Sequence, residues 1–107
     1  AEGGTALMII YLAGKITGNP EYRQQFAAAK MQLEAEGHIV LNPAELPVGM
    51  SKAAYMRICF AMLDVADEVR ALPNWYYSSG AGVEVSYADH IGKPIDLVNI
   101  AMKGGAE

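Results

Sequence analysis

The stretch Met8-Ile9-Ile10-Tyr11-Leu12-Ala13, closed by Gly14, decides the fold. Its six consecutive apolar residues show no alternation with polar ones. A strand of this kind is buried on both faces, as in the centre of a parallel sheet. Helices must then cover both sides, so the rest of the chain is expected to alternate helix and strand.

The residues that follow fit that expectation. Asn19-Pro20 predicts a helix start, with Asn as N-cap and Pro at the first helical position. Tyr22, Phe26, Ala29 and Leu33 recur at helical spacing and give one core-facing stripe. Gly37 ends the helix. His38-Ile39-Val40-Leu41 reads as a second strand, stopped by Asn42-Pro43. Ser51 caps a second helix to about residue 66. Residues 67–72 read as a third strand and residues 94–99 as a fourth. Between them lies a third helix over about residues 81–91. The expectation is an α/β domain with a doubly wound, flavodoxin-like or Rossmann-like parallel sheet. It has about four strands in the order 2-1-3-4. Residues 8–100 form the domain and 101–107 a tail. Residues 1–7 are expected to be a lead-in, foreign or frayed, with Met8 the native start and no signal peptide.

The 107 residues suffice for one domain with a modest core. Hydrophobic residues make up 52% and charged residues 19%, which marks a globular chain. The net charge of −4 without a basic cluster argues against binding duplex nucleic acid. The single cysteine, Cys59, excludes an internal disulfide and suits a reducing, cytoplasmic setting. No Cys/His constellation suits zinc. No apolar run reaches the ~20 residues of a membrane helix. The second helix is apolar nearly all round (Met56, Ile58, Cys59, Phe60, Ala61, Met62, Leu63, Val65), so a second subunit is expected to cover it.

In a doubly wound sheet ligands bind outside the carboxyl ends of the strands, where the winding reverses. That edge collects Tyr11, residues 14–18, Asn42, residues 72–82 and Asn99; Asp67 and His38 fall at the opposite edge. The stretch Ser78-Ser79-Gly80-Ala81-Gly82-Val83-Glu84 carries the clearest chemistry. Read as a Gly-rich turn into a helix, it offers backbone N–H groups to an anion. It puts Glu84 in the first helical turn, where the same groups favour the ionised carboxylate.

The segment 11–19, with Leu72-Pro73-Asn74-Trp75 and residues 78–84, resembles the nucleoside 2-deoxyribosyltransferase superfamily. The likeness is closest to the 2′-deoxynucleoside 5′-phosphate N-hydrolases, and the chain also resembles small unassigned phage and bacterial relatives. It covers most of residues 8–98. The resemblance implies that Glu84 is the nucleophile that attacks C1′ of the sugar, with Tyr11 beside it. It implies that Lys15, Ile16, Thr17 and Ser78 hold the 5′-phosphate; Gly14, Gly80 and Gly82 of the same loops are candidate substrate-binding residues, and Cys59, Asn42 and Trp75 candidate pocket residues. It also implies an Asp on the second helix, where this chain has Cys59; a thiol is a weak proton donor by comparison. The expected activity is cleavage or transfer of the N-glycosidic bond of a (deoxy)nucleoside or its 5′-monophosphate, with no cofactor. A non-catalytic nucleotide-binding protein on the same scaffold and a protein-interaction module remain alternatives.

Overall fold

The computed structural model describes residues 7–100; residues 1–6 of the expected 1–7 lead-in and the tail at 101–107 lie outside the described residues. Four strands form one parallel sheet: β1 (Ile9–Ala13), β2 (Ile39–Leu41), β3 (Glu68–Ala71) and β4 (Ile95–Leu97). Their order is β2-β1-β3-β4, with β1 inside. Tyr11 pairs with Leu41 on one side and Val69 on the other. Three helices connect the strands: α1 (Tyr22–Ala35), α2 (Lys52–Val65) and α3 (Ser79–His90).

Side chains of β1 alternate between two cores, as a pleated strand requires. Ile10 and Leu12 pack with Phe26, Ala29 and Leu33 of α1. Tyr11 and Ala13 pack on the opposite face with Cys59 and Leu63 of α2 and Ala88 of α3. The continuous apolar run therefore serves two layers of helix. Tyr11 falls on the face shared by α2 and α3, which brings it to the functional groups described below.

The helix ends follow local chemistry, with two corrections to the sequence reading. α1 ends as expected: Gly37 sits at φ +97°, its N–H donates to Glu34 O, and the His38 N–H donates to Leu33 O. This paired arrangement satisfies two terminal carbonyls and needs a left-handed residue. At its other end α1 starts at Tyr22, not at Asn19-Pro20. The Asn19 side chain is spent on a preceding turn, where its Oδ1 accepts from Glu21 N and its Nδ2 donates to Lys15 O. Local side-chain bonding here competes with capping. α3 starts at Ser79, two residues earlier than expected, because Ser78 is its N-cap, with Oγ accepting from Ala81 N at 3.1 Å. Gly80 and Gly82 are thus helical, and Glu84 stands in the second turn rather than the first. α2 is capped as expected, Ser51 Oγ accepting from Ala54 N.

Asp67 and His38 lie at the amino edge of the sheet and have a structural task there. Asp67 Oδ2 accepts from Ile9 N and His38 Nδ1 from Met8 N. Asp96 is exposed on the edge strand β4 and accepts from Leu97 N. An edge strand tolerates an outward carboxylate.

Candidate active site

A cleft of about 550 Å³ opens at the carboxyl edge of the sheet. Its walls come from the end of β1, the segment after β2, α2 and the start of α3. On α3, Ala81 and Ala88 are buried against the sheet. Glu84 is three residues after the first and four before the second, so it shares their inward stripe. A carboxylate is thereby carried on the buried side of a helix and emerges in the cleft wall. On α2, Cys59 and Leu63 form the equivalent inward stripe, and Cys59 reaches the same cleft. Tyr11 lies behind both.

The electrostatics of these three groups are set by burial. Loss of water pushes the Glu84 carboxyl up to about 7, while contact with the Tyr11 hydroxyl and the Cys59 thiol pulls the other way. Burial pushes the Cys59 thiol up to about 11. The Tyr11 hydroxyl is raised beyond its ordinary value, by burial first and by the Glu84 charge second. Tyr11 is fully buried and its hydroxyl completes no hydrogen bond of good geometry, although Glu84 and Cys59 both adjoin it. An unmatched buried hydroxyl costs free energy, on the order of 1–3 kcal/mol. A small rotation of Glu84 or a ligand hydroxyl would match it.

The expectation that a helix N-terminus keeps Glu84 ionised is therefore overturned. The N-terminal field fades within the first turn, and Glu84 lies beyond it. Desolvation dominates instead, so both protonation states are populated near neutral pH.

The other expected residues divide. Gly14, Ile16, Thr17, Ser78 and Gly80 line the cleft together with Cys59 and Glu84. Gly14 also has a packing reason: a Cβ there would meet Phe26 Cζ at 3.0 Å and Leu72 Cβ at 3.1 Å. Lys15, Asn42, Trp75 and Gly82 are not among the lining residues. Lys15 N is bound to Asn74 Oδ1. Asn42 Oδ1 accepts from Ala44 N and opens a short 3-10 turn over Pro43–Glu45. Trp75 begins a second such turn, over Trp75–Tyr77, with exposed Tyr76 and Tyr77. Gly82 turns instead to a shallow hollow beside Phe60 and Tyr87.

Sequence reasoning missed Lys52, Tyr55 and the segment 46–50. Lys52, the first residue of α2, is the one cation among the described lining residues. The segment carries Leu46, Val48 and Met50 into the wall. Tyr55 ties it down, its hydroxyl donating to Pro47 O and accepting from Met50 N. Lys-Ala-Ala-Tyr after a capping Ser gave a spacing signal, since Lys52, Tyr55, Met56 and Cys59 fall on one helix face. Below the cleft α2 and α3 are fastened together. Phe60 stacks on Tyr87 at 4.3 Å and 6°, and the Tyr87 hydroxyl donates to Asp64 Oδ1 at 2.6 Å. Lys93 Nζ donates to Asp64 O.

Residues 8–97 match the model of a family described as a domain of unknown function, DUF4406. The chain belongs to that family. No curated protein matches it. Among solved structures, this DUF4406 member is similar to a 2-deoxyribosyltransferase from the psychrotolerant bacterium Bacillus psychrosaccharolyticus. The TM-score is 0.69 at 22% identity, over 88% of this chain and 77% of that one. The resemblance to the nucleoside 2-deoxyribosyltransferase superfamily thus holds at the level of the fold, including the four-stranded 2-1-3-4 sheet. Among the described residues, no helix is long and apolar enough to cross a membrane.

Proposed function

We propose that this DUF4406 domain cleaves or transfers the N-glycosidic bond of a (deoxy)nucleoside or its 5′-monophosphate, with Glu84 as nucleophile. The supporting observation is the placement of Glu84: an inward-facing carboxylate in the wall of the cleft at the carboxyl edge of the sheet, beside a buried hydroxyl without a partner. Ionised Glu84 attacks C1′ of the sugar and forms a glycosyl-enzyme. Water or a second base then resolves it, with retention of configuration. The Tyr11 hydroxyl holds the carboxylate in line. The start of α3, with Ser78, Ser79 and Gly80, faces the cleft beside Thr17 and suits the 5′-phosphate, with Lys52 the available cation.

A second copy of the chain covers the outer face of α2, where Leu41, Ile58, Ala61, Met62 and Val65 line an apolar hollow. The competing reading, a nucleotide-binding protein without turnover, is favoured by Cys59, which puts a poor proton donor beside Glu84.

The test is Glu84→Gln, assayed by chromatography of free base. Gln keeps the shape of the side chain but cannot attack as an anion. The expected result is loss of base release with ligand binding retained. Equal turnover by variant and parent would exclude Glu84 as the nucleophile. Binding without release by the parent itself would establish the competing reading.

A further inference from the structure

Glycosidic cleavage needs an exit for the electron pair of the breaking C1′–N bond. With a neutral nucleobase that pair leaves as an anion unless an acid protonates the base, and such assistance is typically worth 10²–10⁴-fold. The cleft holds little that can act as this acid. Among its described lining residues Glu84 is the one carboxyl group, and none is a histidine. The group beside Glu84 is the Cys59 thiol, which burial holds protonated to about 11. The Tyr55 hydroxyl already donates to Pro47 O. Tyr22 lines the cleft from the α1 side, its ring packed against the Phe26 core, and a phenol gives up a proton far less readily than a carboxyl group. Lys52 begins α2 seven residues before Cys59, about 10 Å along the helix axis.

We propose that the preferred substrate is an N-glycoside whose base is already a cation, such as a pyridinium nucleotide or an N7-alkylated purine nucleotide. The inference rests on the reading of Glu84 as nucleophile. Its step balances without an acid. A Glu84 carboxylate oxygen bonds to C1′ as the C1′–N bond breaks, and the electron pair moves to the ring nitrogen and cancels its positive charge. The base departs neutral and takes no proton. Water then attacks C1′, Glu84 leaves as carboxylate, and one proton passes to solvent. Glu84, the one carboxyl group among the described lining residues, adjoins the bond that breaks and so also attracts the cationic ring. The phosphate lies towards the start of α3, which separates the two charges of the substrate.

The experiment compares a matched pair on the parent protein, guanosine 5′-monophosphate and its 7-methyl derivative, with nicotinamide mononucleotide as a second cationic probe. Rates are divided by the spontaneous rate of each compound. The expected result is base release from both cationic compounds, with a corrected advantage of at least ~10²-fold over guanosine monophosphate, the scale of the missing acid. With the 7-methyl compound the Cys59→Asp variant should narrow that advantage by raising the neutral rate. If that variant fails to fold, the pH profile of the parent on nicotinamide mononucleotide serves instead. It should rise through about 7 with Glu84 ionisation and show no alkaline fall, since no acid is used. Equal corrected rates for the pair, or an alkaline fall, overturn this inference and leave the proposed glycosidic chemistry standing. Release from none of the three compounds overturns the inference, and Glu84→Gln turnover equal to the parent overturns the nucleophile reading beneath it.

Discussion

Replacing Glu84 by Gln is expected to stabilise the protein at alkaline pH and to leave it nearly unchanged in acid. The sign follows from the raised carboxyl. Below about pH 4.5 both folded and unfolded chains carry the proton, and Glu84 contributes no pH-dependent term. Between 4.5 and about 7 the unfolded chain releases it while the folded chain keeps it. Stability therefore falls as pH rises through this window and is flat above it. The rise from 4.5 to about 7, at about 1.4 kcal/mol per pH unit, sets a ceiling of about 3 kcal/mol. Water reaches the half-buried side chain and screens part of this, so about 1–3 kcal/mol is the working range. For a domain near 100 residues each kcal/mol moves Tm by about 4–8 °C. Thermal melts of parent and variant from about pH 4 to pH 8 should show a Tm gap that opens towards alkaline pH by roughly 4–24 °C. The amide of Gln adds a constant offset, which does not affect the slope. A gap independent of pH, or one that closes as pH rises, would refute desolvation as the force on Glu84.

Gly14→Ala should lower stability by about 1–3 kcal/mol, read by urea melts, because the added methyl meets Phe26 and Leu72 at the end of β1; an unchanged midpoint would show that β1 yields there. Ser78→Ala removes the α3 cap and should cost about 1 kcal/mol while weakening a monophosphate more than its nucleoside in calorimetry. Equal weakening of the two would remove the phosphate from the start of α3. Lys52→Ala should reduce the monophosphate advantage and its salt dependence, whereas Lys15→Ala, outside the lining, should not; the reverse outcome would restore Lys15 as the phosphate partner. Val65→Glu, at a residue 60% exposed, should convert a dimer to monomer in light scattering without loss of melting temperature, and a parent already monomeric at micromolar concentration would leave the α2 face for another use.

The sheet was legible because its signals are strong and redundant. An uninterrupted apolar strand cannot sit at an exposed position, and the turn residues at Gly37 and Asn42-Pro43 bracket elements of ordinary length. Helix starts were less legible because a capping side chain has competitors. Asn19 had Lys15 O and Glu21 N within reach and took those, which delayed α1. Ser78 Oγ reached Ala81 N and capped α3 two residues before the expected start, which put Glu84 in the second turn. That one-turn difference reversed the electrostatic reading of the residue. The site was legible as a set of residues on one sheet edge, since topology alone brings Gly14, Thr17, Ser78 and Glu84 together. The burial that tunes them was not, because it depends on how α2 and α3 lean on β1. The pattern of Glu84 between Ala81 and Ala88 was the available clue to a carboxylate on an inward face.

The Phe60–Tyr87 stack has a mechanical consequence. With the Tyr87–Asp64 bond and the Lys93 contact it rivets α2 to α3. Cys59 and Glu84 belong to these two helices, so the spacing between thiol and carboxylate is that of a rigid bracket. The wall formed by residues 46–50 is tied to α2 in another way, by the Tyr55 hydroxyl bonded at Pro47 and Met50. The two groups of the candidate site thus stand together on one braced wall of the cleft.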